Sequence, residues 1–541
     1  MKKIAKILTC LIVLFSIKGC YEDKGDYDHV AYRIESIDSY SRENVSNVVL
    51  GDSVKIHPVI EWSNSGIDSL EFEYFYVFDG DTISRERYLH LLPSQVGHFS
   101  GYFIVRDKVT KLMNFTYVSY TVSSPFKCGW LIDGKTVLSM LAQTSKYYTV
   151  PTTSPDYVAY ENGDITPEGV YENKNFRSWK DYVDVYGQLN GEALGSDPIS
   201  VDIGIVGYSS DYSEVIVLQK NGGNWVLNGN TFAKYYDFTA DFGSGVAKDF
   251  KPVEFIDVLT SHYMIGEDGT YYWRKIAPST KDSRQCAWEN LLYFGNNAKV
   301  TKKFDGWHYK LGAILVYDEM NNAIIPITSE GQNSEASAGR LLNITYNAEV
   351  PENFVRLDDM GEYTPILVAN TAGSGDYNSS NLYMILKKGD KLYAQRCQAV
   401  MNSYNGKLTI SNMGEIHEFP ADGKVNENSI YLKCKKDNDY LFVAEGSKLY
   451  FYETNIPQRG LRLFKDFGSK IVHLTENGAS WSLGVSLENG EFHMLGTYDR
   501  FFMQENLGDQ ATYHVTKNLG KIVEAIWKPG NYANWMSGFN Y

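Results

Sequence analysis

The sequence has no surplus of basic residues. Its 51 lysines and arginines face 66 aspartates and glutamates, a formal net charge of −15. Nucleic-acid binding needs a basic footprint on phosphates, and a polybasic hold on anionic lipid needs the same, so both are argued against. Cysteine is scarce. Of six, Cys10 and Cys20 lie in the N-terminal segment, and Cys128, Cys286, Cys397 and Cys434 are scattered. That pattern makes no disulfide framework and no CxxC metal pair; each of the four reads as a small buried hydrophobe. The ten histidines form no HExxH and no pair at i,i+4, which argues against a zinc enzyme. No GxSxG elbow, no Walker loop and no GxGxxG after a strand occurs. Helical periodicity is weak throughout, and past the N-terminus no apolar run approaches the ~20 residues of a membrane-spanning helix. The chain thus reads as a non-enzyme without a cofactor. Carboxylate pairs for glycoside hydrolysis stay open, because linear sequence does not reveal which acids share a cleft.

What is present begins with FSIKGCYEDKGDYD, residues 15 to 28. Lys2, Lys3 and Lys6 precede an apolar run from Ile7 to Ile17, and the run closes on Gly19-Cys20. A charged start and a short apolar core are the parts of a secretory signal. The small residue before Cys20 resembles the bacterial lipobox, which implies a signal peptide over residues 1 to 19 and acylation of Cys20. Buried acyl chains, at ~0.8 kcal/mol per CH₂, then hold the chain on a membrane without a spanning helix. The first nineteen residues carry four lysines and no acid, so their removal takes the net charge to −19. Glu22, Asp23, Asp26 and Asp28 follow in an acidic tether over residues 20 to 30. This cluster resembles the export signal that sends lipoproteins to the outer face of the outer membrane.

Aromatic residues are abundant: 41 tyrosines and 10 tryptophans. Both favour strands, and both also stack on ligands at binding surfaces. Residues 31 to 124 read as a small β-sandwich, from a GDSV strand (Gly51 to Val54) through an aromatic strand ending in Asp79-Gly80 to GYFIVRDKVT and TYVSYTVSS. The order resembles the PKD-like immunoglobulin-type domain.

From residue 125 the texture is repetitive. Two short apolar strands meet at a tight Gly or Asn turn seven times, at Gly129–Leu141, Val215–Leu227, Tyr263–Trp273, Ala313–Ile327, Tyr383–Gln395, Tyr440–Tyr452 and Leu483–Leu495. Most of the turns are about 44 to 67 residues apart, close to the ~40 to 50 of a four-stranded propeller blade. The expected architecture is all-β: an N-terminal immunoglobulin/PKD-like sandwich, then a seven-bladed β-propeller-like domain over residues 125 to 541. Repetition around an axis leaves only short, protected sheet edges. KIVEAIWK, Lys521 to Lys528, is the strand that would close the ring on the first blade.

Two aspartate pairs, Asp437/Asp439 and Asp79/Asp81, have the spacing of calcium ligands. Neither completes an EF-hand loop, and both read as turns, so no metal is expected. A polar insertion from about 160 to 198 contains Phe176, Trp179, Tyr182 and Tyr186. A short helical turn would put these four on one side as a partner- or ligand-binding patch. The competing expectation is that they fold back onto the propeller.

The lipobox, the CYEDKGDYD opening, the PKD-like domain and the propeller, in that order, resemble the PKD-like family of surface lipoproteins. The resemblance implies outer-membrane anchoring with the protein facing the cell exterior. It also implies a SusC-like TonB-dependent barrel and a SusD-like lipoprotein as partners. The expected role is an accessory binding or docking subunit of a nutrient importer, with oligopeptide placed before glycan as cargo. A surface glycosidase, lyase or peptidase on a propeller scaffold is one alternative. A structural scaffold that touches no cargo is another.

Overall fold

In the computed structural model, the described residues are 33–41, 44–126, 128–134, 138–150, 172–205, 213–258, 261–276, 286–290, 298–308, 313–328, 344–371, 379–402, 407–434, 440–477, 482–496 and 508–528. The chain divides into two compact units between Ser123 and Ser124.

The first unit is a β-sandwich. Its main sheet runs in the order Asn47–Val49, Met113–Ser123, Gly97–Asp107, Phe72–Phe78, Asp81–Ser84. Facing it are the pairs Ile34–Asp38 with Val59–Trp62 and Val54–Ile56 with Leu89–Leu91. Alternation sends Phe72, Tyr76, Phe78, Phe103, Val105, Val118 and Tyr120 into one core, as a half-buried strand requires. Phe78 and Asp81 pair across Asp79 and Gly80, both at positive φ. The Asp-Gly pair therefore serves as a two-residue hairpin turn of the kind that matches strand twist.

Among the described residues the second unit is a ring of seven sheets. In each of the seven predicted hairpins the two strands are the middle pair of a blade, B and C. Blades 2, 3, 6 and 7 add an inner strand A and an outer strand D in simple order. Blade 5 runs A Thr364–Thr371, B Ser379–Lys388, C Lys391–Asn402, D Lys407–Ser411, with Ile344–Tyr346 added in parallel at the edge. Blade 4 contributes three strands among the described residues. The B–C turns are tight: Gly389 (φ 58°) and Gly446 (φ 58°) each open a two-residue loop that needs the left-handed region.

Blade 1 closes the ring. Its strand A is the last described strand, Ile522–Lys528, which pairs antiparallel with strand B, Gly129–Gly134. Strand C (Leu138–Val150) and strand D (Glu172–Tyr182) complete it. Leucine, isoleucine and aromatic side chains from adjacent blades interdigitate, as where Trp130, Phe492 and Met494 meet Ile522 and Ala525.

Polar ties link the inner strands around the axis. His473 Nδ1 of blade 7 accepts from the Ala525 amide of blade 1 at 3.4 Å. Glu524 of blade 1 accepts from the Val201 amide of blade 2 at 2.9 Å. Lys303 of blade 4 reaches Glu254 of blade 3 at 2.6 Å and Asp202 of blade 2 at 3.4 Å. Lys302 donates to the Ile366 carbonyl of blade 5.

Candidate functional site

The A–B and C–D connections emerge from the end of each blade opposite the B–C turns. Near that end, between blades 5 and 6, lies a cavity of about 240 Å³ lined by Asn381, Leu382, Tyr383, Arg396, Cys397, Asn412, Lys433 and Thr454. Strand pairing builds it. Tyr383 is opposite Arg396, and Asn381 is opposite Gln398, in blade 5 strands B and C. Period-2 alternation points all four side chains toward blade 6. From blade 6 come Lys433, the last residue of strand A (Ile430–Lys433), and Thr454, just after strand C (Lys448–Glu453).

The cavity is cationic, and among the described residues no carboxylate lines it. Arg396 donates to the Thr454 carbonyl and lies over the Tyr383 ring, 5.4 Å from its centroid. That contact fixes the plane of the guanidinium. Lys433 is 3 % exposed and donates to the Cys434 carbonyl at 3.1 Å. Asn412, at φ 48°, donates to Gln398 Oε1 at 2.7 Å, which holds its amide at the rim. Burial, reinforced by the neighbouring Tyr452, pushes the Tyr383 hydroxyl well above its ordinary pKa. The two phenols are neighbours, and neither makes a hydrogen bond of normal geometry. Cys397, next along the strand, turns its buried thiol to the other face, into the core shared with blade 4, and burial raises that thiol so that it stays neutral. The arrangement suits an anion: a planar, pre-oriented guanidinium, a second cation, and amides at the entrance.

Two other charged constellations are structural. Asp133 and Glu524 face each other across the blade 1 A–B pair. Burial, with Glu524 adding repulsion, holds the Asp133 carboxyl well above the usual range. In blade 3, His262 Nε2 meets Asp257 at 3.3 Å, and Arg274 Nε donates to His262 Nδ1 at 3.3 Å. Arg274 also pairs with Asp241 and stacks on Trp288. Both imidazole nitrogens are engaged, so the pair offers no base to a nucleophile. Among the described residues, no group of three or more His, Cys, Asp or Glu side chains is placed to hold a metal, and no helix is long and apolar enough to cross a membrane.

Of the four aromatics expected on one helical side, Trp179 and Tyr182 are half-buried and Tyr186 is buried, so these three form no exposed patch. Residues 172–182 are strand D of blade 1, so Phe176 and Trp179 lie on a strand, not a helix. The segment is polar because it is the outer strand of a blade, and the spacing of three between Trp179 and Tyr182 puts those two on opposite faces. Trp179 packs toward Trp527, with centroids 6.2 Å apart. Tyr182 meets Phe126 edge-on at 5.1 Å. Tyr186 sits on a short helix, Val185–Asn190, is 1 % exposed and donates to Glu192 at 2.7 Å. Cys20, Glu22, Asp23, Asp26, Asp28, Asp437 and Asp439 lie outside the described residues. Asp79 is the first residue of the sandwich hairpin turn and Asp81 follows it directly.

Arg396, Lys433 and the two asparagines were not singled out from sequence. Their one signal is a cation inside a strand of apolar neighbours, AQRC and YLKC. The sequence did not mark a second surface either. The outward face of the sandwich sheet exposes Tyr102, Phe115 and Tyr117 at 48 %, 67 % and 54 %.

Residues 20–198 match the sequence model of the PKD-like family. That span includes the whole sandwich and strands B to D of blade 1. No curated protein matches the chain. Among solved structures, a quinoprotein alcohol dehydrogenase-like protein from Bacteroides thetaiotaomicron is 11 % identical, over 92 % of this chain and 97 % of that one, with a TM-score of 0.35. BamB from Moraxella catarrhalis is 11 % identical, over 73 % and 88 %, with a TM-score of 0.29. Yeast RCC1 (Prp20), in a structure with Kap60, is 12 % identical, over 59 % and 73 %, with a TM-score of 0.32. The propeller assignment rests on the strand pairings above.

Proposed function

We propose that this protein is a lipid-anchored, outward-facing accessory subunit of a SusC/SusD-type TonB-dependent importer, and that its propeller binds cargo, oligopeptide before glycan. The observation that carries the binding role is the cation-lined cavity at the loop-bearing end of blades 5 and 6. A concave pocket with a few convergent polar groups on a rigid scaffold is the usual form of a recognition site. The anchor and the export address rest on the Ile7 to Cys20 segment and on the acids that follow it. The importer partnership rests on the resemblance to PKD-like surface lipoproteins.

The test is affinity capture from detergent-solubilised outer membranes, using the full chain and a Cys20→Ala variant. The expected result is co-purification of a TonB-dependent barrel and its lipoprotein lid with the full chain. The variant should leave the membrane fraction and lose both partners. A full chain that recovers neither partner, or a variant that stays membrane-bound at unchanged mass, would overturn the reading.

A further inference from the structure

The cavity between blades 5 and 6 has a composition that narrows its ligand. This step rests on the binding role proposed above and concerns the chemistry of the same site. We propose that the cavity captures the C-terminal carboxylate of a short peptide, with Arg396 and Lys433 as the charge partners and Asn381 and Asn412 contacting the last peptide group.

Four features support the assignment. Arg396 presents a planar fork whose orientation is set by Thr454 and by the Tyr383 ring, and such a fork matches a carboxylate bidentately. Lys433, 3 % exposed, brings a second cationic side chain to the same wall. The volume, about 240 Å³, is below the ~300 Å³ at which pockets begin to enclose a drug-sized ligand. The cavity therefore suits the end of a chain better than its middle. Asn381 and Asn412 each bring a carbonyl and an amide, the pair of functions that complements a peptide group. With one Asn412 N–H held by Gln398, its carbonyl is placed to accept a peptide N–H.

The aromatic content decides against a sugar acid. Stacking on a saccharide needs an open ring face. Among the described residues that line the cavity the one aromatic ring is Tyr383, which is 3 % exposed and covered by Arg396. A peptide terminus needs no such platform.

Isothermal titration of the detergent-solubilised full chain tests this with four probes: N-acetyl-trialanine, its C-terminal amide, digalacturonate and inorganic phosphate. The free acid is expected to bind, and the amide at least about tenfold more weakly, the loss typical of a charge-assisted contact. Arg396→Gln should show a similar loss with unchanged thermal unfolding, since Arg396 is surface-exposed. Asn412→Asp keeps the size of the side chain, tolerates the left-handed backbone and puts an anion at the rim, so it too should weaken the acid and not the amide. Equal affinity for acid and amide would overturn the proposal. So would tighter binding of digalacturonate or phosphate, no binding of the free acid, or wild-type affinity in both variants. Calorimetry with purified protein is independent of the importer. A failed capture experiment with intact peptide binding would sink the partnership alone, and the converse would sink the ligand assignment alone.

Discussion

Asp133 is a single carboxyl with a consequence for the whole ring. It is 3 % exposed, one of its oxygens has no hydrogen-bond partner, and it faces Glu524 across the strand that closes the propeller. Burial and then Glu524 oppose its ionisation, so its folded pKa lies above the unfolded value. The native state keeps the proton where the unfolded chain has already released it. Its contribution to stability is therefore complete below about pH 4 and declines as pH rises through the folded pKa. Asp133→Asn should raise stability at neutral pH by on the order of 1 kcal/mol, the scale of a buried unpaired polar atom. Melting curves of variant and wild type should converge near pH 4; a gain independent of pH would disprove the account. Tyr76 makes the opposite case. Its buried hydroxyl shares its one proton between the Ile56 and Arg87 carbonyls, at 3.2 and 3.1 Å. Tyr76→Phe should cost about 1 to 2 kcal/mol in urea unfolding of the sandwich. An unchanged midpoint would show that those carbonyls find other donors. Neither residue is legible in sequence. A buried tyrosine and a solvent-facing one are the same letter, and Asp133 sits in an Asp-Gly pair that reads as a turn.

At the scale of the element, the B and C strands were readable because both their faces are covered. Gly129–Gly134, Tyr440–Glu445 and Ser482–Leu487 are buried almost throughout, which leaves near-continuous apolar runs joined by Gly or Asn turns. The A strands were obscured by charge. Asp202, Glu254, Lys303 and Glu524 belong to inner strands and pair across blades near the axis, so local composition does not mark a strand there. The D strands were obscured by their outer position, and ENKNFRSWKDY reads as an insertion although it pairs along its own full length with strand C. Ile522–Lys528 was the exception, because its sequence position suggested closure and its apolar residues suggested a strand. The pairing makes it the latch of the ring. Ala525 is fully buried between blades 1 and 7, so Ala525→Asp places a charge inside an apolar cluster. Burying that charge there should destabilise the propeller by about 3 kcal/mol. Circular dichroism should show early melting of the second unit; retention of the wild-type transition would mean that closure is not needed for stability.

The whole molecule joins two β units with different kinds of core. The sandwich gathers its apolar side chains into one cluster, while the propeller divides its core among the interfaces between blades. A sandwich core is complete within its own strands, whereas each blade depends on its neighbours and the ring on its latch. The split falls at Ser123–Ser124, directly before Pro125, which cannot donate to a sheet and ends strand pairing. The latch pairs the last described strand with residues 129–134, close after that split. Every strand the ring requires therefore lies on the propeller side. This predicts that residues 124–541 fold as an independent unit, because no sandwich strand takes part in any blade. Thermal unfolding of residues 31–123 and of residues 124–541, prepared separately, should sum to the unfolding profile of the intact chain. The propeller prepared alone should also bind acetylated trialanine as tightly as the full chain does, since all eight residues lining the cavity belong to blades 5 and 6 and their connections. A propeller that is insoluble alone, or that melts well below its transition in the full chain, would show that the sandwich completes its core. A folded propeller without peptide affinity would instead place the binding residues elsewhere.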